Sequence, residues 1–142
     1  LVALRLSAKR SGWWKDNLES VMLESPVTSF PMVIDYMIGP HFRILRPLVR
    51  RIIRREMERI HPDLSIRWDD SKVPHIGLPK LPILVLQAMN DELPGRNHYD
   101  LLAKTLEGKR NNKLILIDEL MHTSTQDCQP RKDLVEKWLG GV

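Results

Sequence analysis

Three short, uninterrupted apolar runs constrain this chain more than any other feature: Val21-Met22-Leu23, Ile83-Leu84-Val85-Leu86 and Leu114-Ile115-Leu116-Ile117. A strand with one face in water alternates apolar and polar residues. A short run without alternation is the pattern of a strand covered on both faces, as in a parallel sheet. Parallel strands need long crossovers between them, usually helical, and the sequence supplies helical patterns in the right places. Residues 99–106 carry Tyr99, Leu102, Ala103 and Leu106 as an i, i+3, i+4, i+7 stripe. Residues 1–9 put Leu1, Leu4 and Ala8 on one helical face and Arg5 and Lys9 on the other, ending before Ser11-Gly12. Residues 131–139 predict a closing helix with Leu134, Val135, Trp138 and Leu139 inward and a Gly140-Gly141 stop. The fold class expected is α/β, a sheet of parallel strands with flanking helices in three layers.

Between the first and second runs lies a long insertion with no strand pattern. It divides the chain into residues 1–28 (a helix and a core strand), 29–78 (a helical insertion) and 79–142 (the remaining strands and helices). Within the insertion Ile44, Leu45, Leu48, Val49, Ile52, Ile53, Met57 and Ile60 form an apolar stripe, while Arg43, Arg46, Arg50, Arg51, Arg54, Arg55 and Arg59 fill much of the remainder. This predicts a strongly amphipathic basic helix, with Pro47 acceptable only near its first turn. Such a helix buries its stripe against the protein as a cap, or presents it to an anionic lipid surface or to substrates carrying phosphate or carboxylate. The expectation is the cap, with the stripe buried and the arginines in water.

Several classes of function are disfavoured. The longest apolar stretch, residues 30–38, is interrupted by Asp35 and is shorter than the roughly 20 residues that span a bilayer. No signal-peptide layout opens the sequence, and the first helix starts without a cap, as though in mid-fold. One cysteine, Cys128, forms no internal disulfide, which is compatible with a reducing, cytoplasmic compartment. His41, His61, His75, His98 and Cys128 lack metal-ligand spacing, so no metal site is expected. The basic run lacks interleaved aromatics, and no nucleic-acid partner is expected. Trp13-Trp14 reads as helix-end packing and the methionines as core filler.

The chemistry-bearing residues sit after the second and third runs. Gln87-Ala88-Met89-Asn90-Asp91-Glu92-Leu93-Pro94 follows the second, and Asp118-Glu119-Leu120-Met121-His122-Thr123-Ser124 follows the third. Neighbouring parallel strands end on one edge of the sheet, so an acid after one and a histidine after the next can meet. A carboxylate that accepts the imidazole Nδ1–H fixes its tautomer and stabilises the imidazolium formed when the ring acts as a base. The plainer alternatives are that Asp91 is a turn former, which Asn and Asp favour, and that His122 is a surface residue. Glu24, after the first strand, is the reserve acid.

The order strand, Asp-containing loop with a following Pro, helix, strand, His-containing loop and final helix resembles the last third of an α/β-hydrolase. Residues 1–6 are similar to the helix after that family's nucleophile elbow, and residues 20–26 to the strand after it. The resemblance implies a triad of Ser, acid and His in chain order, with Asp91 the acid and His122 the base. Where many relatives have His-Gly at the start of the acid loop this chain has Gln87-Ala88, and where many have Gly before the base it has Met121. No G-x-S-x-G occurs in the sequence, so the nucleophile is expected upstream, in an N-terminal half of the same fold that would also pair the edge of the first strand. The implied activity is serine hydrolysis of an ester, thioester or amide, without a cofactor. The insertion would line an acyl pocket with Phe30, Met32, Tyr36, Met37 and Phe42. The competing expectation is a non-catalytic module of the same fold whose basic helix binds a protein partner or an anionic membrane.

Overall fold

The computed structural model describes residues 2–8, 12, 14–60, 68–75, 77–91, 95–109, 111–120 and 128–141. Three strands, β1 (Val21–Glu24), β2 (Ile83–Ala88) and β3 (Lys113–Ile117), form a sheet in the order β1-β2-β3. Both pairings are parallel: Val21 lies opposite Ile83 and Glu24 opposite Leu86, while Leu84 lies opposite Lys113 and Ala88 opposite Ile117. All three apolar runs are strands, as the sequence predicts. All six residues of β2 are buried, because it is hydrogen-bonded on both edges and covered on both faces. The edge strand β1 departs from the expectation: Val21 and Leu23 are buried but Met22 is 40% exposed.

Alternation along β2 sorts the core into two clusters. Ile83 and Val85 pack with Leu4, Val21, Leu23, Val73, Leu102 and Leu106, beneath α1 (Val2–Ala8) and α5 (Arg96–Leu106). Leu84, Leu86 and Ala88 pack with Ile117, Leu120, Cys128 and Trp138, the last from α6 (Gln129–Leu139). Helices therefore cover both faces. In α6 Trp138 is buried and Leu134 and Val135 are partly buried against the same cluster, but Leu139, expected to point inward, is 68% exposed. A four-residue helix, α2 (Trp14–Asn17), precedes β1. It has no sequence counterpart, since a single turn is too short to show periodicity.

The insertion is helical where the stripe predicts it. Ser29 starts α3 (Phe30–Ile38), its hydroxyl accepting the Met32 N–H at 3.4 Å. A short 3₁₀ turn, Arg43–Leu45, leads into α4 (Arg46–Ile60), which places Pro47 in the first turn, where its missing N–H has no intrahelical partner to lose. The base of the insertion is fastened by an antiparallel bridge between Ser29 and Lys72 and by the Val73 N–H donating to the Thr28 carbonyl at 2.9 Å. An Arg50–Asp35 ion pair ties α4 to α3.

The burial of α4 overturns the expectation that its whole apolar stripe is buried. No residue of α4 is buried; Val49, Ile53 and Met57 are partly covered, whereas Leu48 and Ile52 are 55% and 50% exposed. The part of the stripe nearest α3 is screened and the rest faces solvent.

These burial differences carry a stability prediction. Leu102 is fully buried in α5, so Leu102→Ala should lower the unfolding free energy by about 2–5 kcal/mol. Leu139→Ala should stay within about 0.5 kcal/mol of the parent protein. Urea unfolding midpoints at constant m distinguish the two.

Candidate active site

The C-terminal rim of the sheet gathers the polar groups. Backbone hydrogen bonds carry the parallel ladder past the ends of the strands, with Ser25 N–H donating to the Leu86 carbonyl at 2.9 Å and Met89 N–H to the Ile117 carbonyl at 3.0 Å. The exits of β1, β2 and β3 are thus adjacent.

Asp91 lies three residues beyond β2 and is 9% exposed. Its carboxylate is turned into the protein: Gln87 Nε2 donates to Asp91 Oδ2 at 2.7 Å. The Gln87 side chain is fully buried, and its Oε1 has no hydrogen-bond partner among the described residues. A buried amide has one favourable orientation beside a carboxylate. Turning Oε1 toward Asp91 would set two acceptors against each other, so the Asp91 contact fixes the flip even though the other end stays unsatisfied. Sequence reading treats Gln87 only as a departure from a family pattern. Its position as the polar member of a wholly buried strand, four residues before an acid, was the available signal.

Glu24, the reserve acid, is engaged elsewhere. It forms a two-point ion pair with Arg131 in the first turn of α6, with Nη2 to Oε2 at 3.0 Å and a second bond from Nε to Oε1. This clasp links the end of β1 to α6 on the face opposite α1 and α5. Planar guanidinium and carboxylate match as parallel donors and acceptors, and the pairing raises the Arg131 pKa above its ordinary value. Asp118 and Glu119 sit in an exposed turn after β3. The candidate base His122 lies outside the described residues, as do Trp13 and His61. Leu120, two positions before His122, is buried in the cluster containing Ala88.

His98 is a further buried polar group, and sequence reading gave it no role. It occupies the first turn of α5 and is 1% exposed. Its Nδ1 accepts the Thr28 backbone N–H at 3.0 Å, while the Thr28 hydroxyl donates to the His98 carbonyl at 2.8 Å. With the hydroxyl proton directed at that carbonyl, Nδ1 carries no proton, so the ring is neutral with its hydrogen on Nε2. Burial lowers its pKa from the ordinary 6.5. Nδ1 faces a donor and not a carboxylate, so His98 is a structural link between the base of the insertion and α5. It does not have the geometry of an acid-oriented base.

Between α3, the start of α4 and the start of α5 opens a cavity of about 430 Å³ lined by Met32, Asp35, Tyr36, Arg46, Gly95, Asn97 and His98. Of the residues expected to line an acyl pocket, Met32 and Tyr36 are in its wall. Phe30 is partly buried at the start of α3, and Met37 and Phe42 face solvent, 74% and 60% exposed. The buried Nε of Arg46 has no acceptor among the described residues. A larger cavity of about 620 Å³ lies wholly within the insertion, between α3, α4 and Lys72, and contains no residue of the rim. Among the described residues no three His, Cys, Asp or Glu side chains are grouped as a metal ion would require, and no helix is long and apolar enough to cross a membrane.

The chain matches no known protein family, curated protein or solved structure.

The His98 link predicts a pH dependence. In the unfolded chain His98 titrates near 6.5 and in the folded chain lower, so between these values the unfolded state holds more protons and stability falls as pH falls. The contribution is complete above 6.5 and is lost on descending from there toward the folded value. His98→Asn, whose Oδ1 can replace Nδ1 as acceptor, should flatten this part of the stability–pH curve. An unchanged curve in the variant would assign the dependence to other groups.

Proposed function

We propose that this chain carries the acid and the base of a serine hydrolase of the α/β-hydrolase type, acting on an ester, thioester or amide. The observation that supports it most is the parallel order β1-β2-β3 with a buried carboxylate, Asp91, at its C-terminal rim. The loop bearing His122 leaves the neighbouring strand at that rim. Leu120 is anchored in the core beside Ala88, and the two residues from Leu120 to His122 span at most about 7 Å of chain.

In this reading Asp91 accepts the Nδ1–H of His122, and Gln87 holds the carboxylate in place from below. His122 Nε2 takes the proton from a serine Oγ supplied outside this sequence as that oxygen attacks the substrate carbonyl carbon. It then protonates the leaving oxygen, sulfur or nitrogen as the tetrahedral species collapses to an acyl-enzyme. Water then attacks the acyl carbon as His122 takes its proton, and His122 returns that proton to the serine Oγ as the acyl–oxygen bond breaks and the acid product leaves. Asp91 stays ionised throughout and stabilises the transient imidazolium. The cavity walled by Met32 and Tyr36 is also lined by Gly95, four residues after Asp91 in the chain, and would take the acyl or leaving group. The insertion acts as a cap at that mouth.

The test uses the full-length protein. A fluorophosphonate probe should label its serine, His122→Ala should abolish labelling, and Asp91→Asn should slow ester turnover by about 10⁴-fold through loss of the correct tautomer. Labelling of residues 1–142 by themselves, or full activity in either variant, contradicts the assignment.

A further inference from the structure

The face of α4 turned away from α3 is unaccounted for by hydrolase chemistry. Residues 43–60 contain seven arginines and two glutamates, a surplus of positive charge larger than the net +4 of the whole chain. Of the twelve large apolar side chains exposed among the described residues, eight lie in residues 36–60, including Ile44 at 89%. Charge and apolar surface are thus concentrated in one segment. On α4 they also share one side. Leu48, Ile52, Arg55 and Arg59 follow one another at steps of three or four residues and so line up along a single face of a helix about 22 Å long, while Arg51, exposed at the edge of that face, also lines the cavity between α4 and α3.

The two glutamates are already matched, Glu58 by Arg54 at 3.0 Å and Glu56 by Arg59 at 2.8 Å. The insertion's Asp35 is held by Arg50. Arg51 and Arg55 have no carboxylate partner among the described residues. A short apolar strip edged by unmatched arginines complements a surface that is apolar a few ångströms down and anionic above. A helix lying in the plane of an anionic bilayer meets that arrangement, with the guanidinium groups bonding lipid phosphates in two-point fashion.

We infer that α4, together with the 3₁₀ turn before it, is a docking surface for anionic phospholipid membranes: Leu48 and Ile52 enter the acyl boundary while Arg55 and, at the edge of the face, Arg51 contact the headgroups. The inference is independent of the hydrolase reading, since it uses no rim residue. It predicts that the insertion mouth rests at the bilayer.

The test is flotation of the full chain with vesicles of phosphatidylcholine, and of phosphatidylcholine mixed with phosphatidylserine. Binding should require phosphatidylserine and weaken as salt is raised. Arg51→Ala with Arg55→Ala should reduce partitioning about 25-fold, at about fivefold per arginine. Leu48→Ser with Ile52→Ser should reduce it by about tenfold or more. All four positions face solvent, so circular dichroism should show each double variant folded. Equal binding to neutral vesicles, no binding to anionic ones, or binding indifferent to both double variants overturns the inference. So does a dimer in light scattering that disappears in Leu48→Ser/Ile52→Ser while the parent protein ignores vesicles, because the face would then serve a second copy of this chain.

Discussion

The parallel pairing of β2 with both neighbours is the constraint on which the rest of the structure depends. A strand hydrogen-bonded on both edges and covered on both faces has no place for a solvated side chain, and its six residues are accordingly buried. Its alternation then decides which helix goes where. Ile83 and Val85 draw α1 and α5 to one face, and Leu84, Leu86 and Ala88 draw α6 to the other. Because the strands run the same way, their exits share one rim, where polar groups are free of the sheet's apolar demand.

Several polar groups buried at or near that rim are held by side-chain partners, although Ser25 Oγ and Gln87 Oε1 have none among the described residues. Gln87 reaches Asp91, Thr28 and His98 exchange bonds through both backbone and side chain, and Glu24 clasps Arg131. These contacts differ in kind. The Thr28–His98 link and the Glu24–Arg131 clasp fasten an insertion and a helix to the sheet, and neither leaves its groups available for chemistry. The Gln87–Asp91 bond holds a carboxylate at the exit of β2, the strand paired with β3, which precedes His122 in the chain. That position, together with the Arg131 clasp on Glu24, favours Asp91 over Glu24 as the acid of the proposed mechanism.

Much of the fold was legible because continuous apolar runs and 3.6-residue stripes are local signals. The strand cores, the helices at residues 2–8, 96–106 and 129–139, and the amphipathic helix of the insertion all appear where pattern places them. Strand ends did not, since Gln87 and Lys113 carry no apolar signature yet continue the ladder. The fate of an amphipathic stripe was illegible for a deeper reason. Periodicity reports which residues share a face and says nothing of what lies opposite, so Leu48, Ile52 and Leu139 were expected inward and face solvent. The site was legible only in part. Asp91 follows from its place after a buried strand, but His98 depends on Thr28 seventy residues away and the Glu24 clasp spans 107 residues, distances over which one sequence carries no pairing signal.

The central claim is that Asp91 and an imidazole from the next strand's loop meet at this rim. Nitrogen-15 NMR of the full-length protein, labelled at histidine, tests it most directly. The account predicts a slowly exchanging Nδ1–H on His122 that disappears in Asp91→Asn while the His98 signals stay in place. A His122 ring with no protected Nδ1–H, or one unchanged by the substitution, would contradict it.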